Sequence, residues 1–127
     1  MKKINHLASA LSVAGLLITL APNVMAEAAA GKAVYDGKGA CGACHGITGK
    51  GDSPAAAVLN PKPRSFAEGV FAYDTDSDGK PGTDADLFAI IKNGSAPYGG
   101  AATMPGRPDL SDDEIHALVA YVRALKN

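Results

Sequence analysis

The chain has 127 residues, with 12 Lys and Arg against 13 Asp and Glu and a net charge of −1. This length holds one small domain, and the balanced charge, with no basic run, excludes an electrostatic binder of nucleic acid. There is no Trp, and the two cysteines stand three residues apart, so neither a bulky indole core nor a disulfide framework is available.

The first element in chain order is a leader. Lys2 and Lys3 precede an apolar run of 15 residues, Leu7 to Ala21, which stops at Pro22-Asn23. Val24-Met25-Ala26 supplies small residues where a signal peptidase cuts, so residues 1–26 read as a cleaved secretory signal that sends the chain to the periplasm. The run is shorter than the ~20 residues of a spanning helix, and Ser9, Ser12 and Thr19 interrupt it. Removing 26 of 127 residues leaves 101, and it takes Lys2 and Lys3 but no acid, so 10 basic residues face 13 acidic ones at a net −3. These 101 residues, 27–127, form one domain without repeats or a linker. They hold 19 Ala and only 17 Leu, Ile, Val and Phe. A chain this small with so thin a core requires a staple, and a large apolar cofactor would supply one.

Residues 28–38, "AAAGKAVYDGK", predict an Ala-rich helix ending in glycines, with Gly31 and Tyr35 on one face. "CGACH" follows at 41–45. Residues 46–82 are rich in Gly and Pro and read as loop, with Ser53-Pro54 capping a helical turn through Leu59. "TDADLFAIIKNG" is a clear helix: Thr83 and Asp86 begin it as a capping box, Leu87, Ile90 and Ile91 share a face, and Gly94 ends it. After a Gly/Pro-rich loop from Ser95 to Asp109, Ser111 and Glu114 cap the last helix. Its stripe is Ile115, Leu118, Val119, Val122 and Leu125. No alternating strand is present. The fold class is all-α: three to four short helices and long loops.

Three chemistries compete for Cys41-Gly42-Ala43-Cys44-His45. A redox disulfide of the thioredoxin kind needs a βαβ frame, which the pattern lacks. Structural zinc needs four ligands, and Cys41, Cys44, His45 and the distant His116 chelate awkwardly because Cys44 and His45 are adjacent. Covalent haem c meets every constraint. C-x-x-C-H is its attachment signature; thiols at i and i+3 lie on one side of a helical turn, and His45 follows as the proximal iron ligand. The sixth ligand is Met104 in "GGAATMPGRPDLS", the single methionine left after Met1 and Met25 depart with the leader. Gly99 and Gly100 let backbone approach closely there, and Pro105 stiffens the turn. His116 sits one step off the apolar stripe and reads as a surface residue. His/Met ligation fills both axial positions of the iron.

With "CGACH", "TMPG" and "LSDDEIHALVAYVRAL" in place, nearly all of residues 27–127 resembles the class I c-type cytochromes, small soluble carriers of one haem. The resemblance implies that the first and last helices cross closely, with Gly31 and Tyr35 against Tyr121. "NPKPRSF" is similar to the family segment near the proximal histidine. It implies that the carbonyl of Pro61 or Pro63 accepts the His45 Nδ1 hydrogen and that Arg64 meets a haem propionate.

One stretch departs from that pattern. In "DTDSDGKPGTDA", Asp74, Asp76, Asp78 and Gly79 match positions 1, 3, 5 and 6 of a calcium loop. Position 12 is Ala85, not Glu, with Asp84 and Asp86 beside it. The rival reading is a solvated Asp/Gly turn whose negative charge steers a basic partner. The expected role is a monomeric periplasmic electron carrier, not an enzyme, exchanging electrons with reductase and oxidase partners and inserting in no membrane after cleavage. Two alternatives stand beside it: a cytochrome subunit of a periplasmic dehydrogenase or oxidase, and a haem sensor or peroxidase, which requires an open iron position.

Overall fold

The computed structural model describes residues 24–127. The leader expected over residues 1–26 therefore falls almost wholly outside the described residues. Among the described residues four α-helices carry the fold: α1 (Val24–Asp36), α2 (Gly42–His45), α3 (Asp84–Asn93) and α4 (Asp112–Ala124). Single 3-10 turns stand at Pro54–Ala57 and Ala96–Tyr98. Among the described residues there is no strand, only an isolated antiparallel bridge between Gly94 and Pro105. No described helix is long and apolar enough to cross a membrane. The all-α expectation holds, and α1 begins four residues before its predicted start.

Caps set the helix boundaries. The Thr83 hydroxyl accepts from the Asp86 N–H while Asp86 reaches back to the Thr83 N–H; Ser111 and Glu114 do the same for α4. Each pair satisfies two donors that a helix start leaves without partners. Ser53 caps its 3-10 turn by accepting from the Ala56 N–H.

The main packing seam joins α1 to α4. A Cβ on Gly31 would lie 1.9 Å from the Ala117 carbonyl oxygen and 2.8 Å from Tyr121 Cβ. Only a residue without a side chain permits this crossing. One turn on, the rings of Tyr35 and Tyr121 meet edge to face at 5.1 Å, a favoured aromatic geometry. The stripe of α4 is buried at Ile115, Leu118, Val119 and Val122, with Leu125 partly so. Leu87 of α3, Leu110 and Phe66 complete the cluster. Arg123 joins α4 to the start of α3, donating to Asp84 at 2.9 Å and to the Gly82 carbonyl at 2.6 Å, with its guanidinium over Phe71.

Candidate haem site

The end of α1 delivers the chain into the Cys41–His45 turn. Gly39 N–H donates to the Val34 carbonyl and Cys41 N–H to the Tyr35 carbonyl, so the turn hangs directly on α1. The Tyr35 hydroxyl passes under it and donates to the Gly46 carbonyl at 2.7 Å. Burial pushes that phenol well above its usual range, which keeps it a neutral donor. Ser53 donates to the Cys44 carbonyl at 2.7 Å. Cys41 and Cys44 are half-buried free thiols on one helical turn, and burial raises the Cys41 thiol. No described strand accompanies them, which leaves the thioredoxin-like alternative without its frame.

His45 is buried, and its Nδ1 lies 3.0 Å from the Arg64 carbonyl oxygen. A carbonyl only accepts, so Nδ1 carries the hydrogen and Nε2 of the neutral ring keeps its lone pair. Burial lowers the imidazole's pKa, the Arg64 hydrogen bond opposing it, which favours the neutral ring. Among the described residues nothing hydrogen-bonds Nε2. The ring stacks on Phe66, centroids 4.5 Å apart and planes 23° off parallel. Orientation, tautomer and plane of the ring are therefore set by contacts within the protein, as outer hydrogen-bond partners do for a metal-binding histidine.

This geometry corrects one expectation. The acceptor for Nδ1 is the carbonyl of Arg64, not that of Pro61 or Pro63. The cause is local: Phe66 N–H donates to the Gly49 carbonyl at 2.7 Å and Gly51 N–H to the His45 carbonyl at 2.8 Å. Those two bonds lay residues 64–66 alongside the imidazole. The exposed Arg64 side chain donates to the Val70 carbonyl at 3.2 Å, so here the residue acts on His45 through its backbone.

Met104 lies half-buried on the loop between α3 and α4. The buried Ser95 organises that loop. Its N–H donates to the Met104 carbonyl at 3.2 Å, its carbonyl accepts from Gly100 and Tyr98, and its hydroxyl donates to Ala101 at 2.8 Å. Gly106 presses on the end of α3, where a Cβ would come within 2.6 Å of the Lys92 oxygen. Arg107 N–H then donates to the Ile91 carbonyl. A thioether sulfur is thus held on a stitched loop.

His116 is exposed, its ring tilted against Phe88 at 4.8 Å. The Asp74, Asp76 and Asp78 carboxylates place oxygens within 4.8 Å of one another. The Asp74 and Asp76 carboxylates accept from the Asp78 and Gly79 N–H groups, and Asp78 from Lys80 N–H. The two acids nearest position 12 are engaged elsewhere. Asp84 pairs with Arg123. Asp86, buried, accepts from the N–H and hydroxyl of both Thr75 and Thr83, and these bonds, that from the Thr75 N–H foremost, hold its carboxyl well below the usual range.

The donor set fits haem c. Two thiols share one turn, a neutral imidazole next to them offers Nε2, and a single thioether stands on a rigid loop. Comparison with known proteins agrees. The cytochrome c family profile matches residues 28–126. Among solved structures, a chain of the Kuenenia stuttgartiensis reducing HAO-like protein complex Kustc0457/Kustc0458 is similar, with a TM-score of 0.58 and 28% identity. The match covers 80% of the present chain and 44% of that one, so it spans less than half of the neighbour's length. No curated protein matches the sequence. Reached from the donor set and from the family profile alike, the conclusion is that the chain belongs to the cytochrome c family, whose members carry covalently bound haem c.

Proposed function

We propose that the chain is an electron-transfer protein that performs no bond chemistry of its own. The haem supplies one-electron redox chemistry when bound. In this reading Cys41 and Cys44 hold one haem through thioethers, and His45 and Met104 occupy the two axial positions of its iron. Two protein ligands leave no coordination site open for oxygen or substrate, which favours a carrier over a sensor or peroxidase. The observation that carries the reading is the His45 Nδ1–Arg64 carbonyl bond. It fixes the one tautomer that presents Nε2 to iron, one residue after the second thiol. The Arg64 side chain is assigned to a haem propionate.

The chain acts in the periplasm after loss of residues 1–26, and its partners are redox proteins there. Within that role, the solved neighbour's membership of a multi-protein redox complex supports a second reading, a cytochrome subunit of such an assembly. Co-purification at physiological salt separates the two: a stable stoichiometric complex favours the subunit, its absence the diffusing carrier.

The testing experiment is a mass and an optical spectrum of the exported protein. The expected mass is that of residues 27–127 plus one haem. The oxidised protein should show a sulfur-to-iron charge-transfer band. A mass equal to the bare peptide overturns the reading. Rapid binding of carbon monoxide to the reduced protein overturns Met104 as ligand.

A further inference from the structure

We propose that Arg107 is a positioning residue for the sixth ligand, locking the Met104 loop onto the segment that enters the Cys41–His45 turn. This rests on the Met104 ligand reading above.

Arg107 lies three residues after Met104, and its backbone is fixed to the end of α3 by the Ile91 carbonyl at 2.8 Å. From there the side chain crosses to a segment nearly seventy residues away in sequence. Nη1 donates to the Gly39 carbonyl and Nη2 to the Lys38 carbonyl at 2.7 Å. The other edge of the fork grips Asp109, with Nε to Oδ1 at 2.9 Å and Nη2 to Oδ2 at 2.8 Å. Four of the five N–H groups of a guanidinium are therefore placed, which immobilises the planar fork in one geometry. Among the described residues, the Lys38 and Gly39 carbonyls have no backbone donor. Gly39 in turn lies against the attachment site, since a Cβ on it would stand 3.1 Å from Cys41 Sγ. One side chain thus ties the loop of the thioether ligand to the backbone two residues ahead of the first thiol. Asp109 orients the fork, and Lys38 Nζ adds a second tie to Glu114 at 2.9 Å. Lysine cannot reproduce the arrangement, because its ammonium has no second edge.

The test uses the ferric holoprotein and imidazole, a small ligand that enters when Met104 leaves. R107Q should bind imidazole about tenfold more tightly than the wild type, the scale expected for loss of hydrogen bonds to a charged group. R107K should fall between the two. Gly31→Ala, which weakens the α1–α4 seam away from this loop, should leave the affinity within about twofold if loop opening is a local event. An equal rise in Gly31→Ala would reduce the Arg107 effect to global stability and overturn the proposal. Should R107Q fail to mature, Asp109→Asn, which frees one edge of the fork, should give a smaller rise in affinity. Wild-type affinity in every folded Arg107 and Asp109 variant, with the sulfur-to-iron band present, overturns the role of Arg107 alone. Absence of that band from the wild-type protein overturns the Met104 reading itself.

Discussion

The ring of Phe66 lies 4.5 Å from the imidazole of His45, nearly parallel to it, while the carbonyl two residues earlier holds Nδ1. One short loop segment therefore sets both the tautomer and the plane of the His45 ring. Phe66→Leu should keep the hydrogen bond and release the plane. In the ferric holoprotein, the spread of the haem methyl NMR shifts should change. Stability should drop by about 1 kcal/mol from the lost ring pairing, beyond the cost of lost area. An unchanged shift pattern would leave Phe66 as core filling alone.

Met104→Ala should remove the sulfur-to-iron band and lower the reduction potential, because a thioether ligand raises it. Optical redox titration of the variant checks both. A variant that keeps the band would place the sulfur ligand elsewhere.

At the α1–α4 crossing, Gly31→Ala forces a methyl group into a backbone carbonyl. The helices must separate, and overpacking of this kind costs about 1–3 kcal/mol or more. Urea unfolding of the holoprotein measures the loss. Tyr121→Leu should cost less, since it removes an edge-to-face contact without moving the helices.

Acid stability should carry the signature of Asp86. Its four hydrogen bonds hold the folded carboxyl well below the ordinary value of 3.8. A depressed folded pKa contributes stability that is complete above the ordinary pKa and is lost as pH falls through the folded value. Asp86→Asn cannot titrate. The stability gap between wild type and variant should therefore be constant above about pH 5 and should narrow as pH falls below about 4. Denaturant melts at four pH values give the result; a gap independent of pH would contradict the assignment.

Calorimetric titration of the holoprotein with calcium should give no heat above dilution. The Asp74–Asp78 turn already spends carboxylate lone pairs on its own N–H groups, and Asp84 and Asp86 are committed elsewhere. Measurable heat that disappears in Asp76→Asn would assign calcium to the loop.

Much of this architecture was legible from local pattern. Both capping boxes, the stripe of α4, the shared face of Gly31 and Tyr35, and the CGACH spacing depend on residues within a few positions of one another. What escaped lies in irregular chain. Phe66 sits in a loop without periodicity, and its stacking partner is 21 residues away. Arg107 looks like a solvated cation in a Gly/Pro loop until the fold brings Gly39 to it. The resemblance directed the Nδ1 bond to a proline carbonyl. The actual acceptor is the next residue along from Pro63, because the Gly49–Phe66 and His45–Gly51 bonds fix the phase of that loop. The Thr83–Asp86 box was visible as a cap, but its second duty toward Thr75 depends on how the preceding turn folds back.

The seam between α1 and α4 also makes the support of the cysteine-bearing turn depend on a contact of long range. Gly31 and Tyr35 meet Ala117 and Tyr121 from far along the chain, and closing so wide a loop costs entropy that only the completed seam repays. Any break in the chain between the two helices should therefore leave the turn on an open segment, its thiols present but the platform beneath them gone.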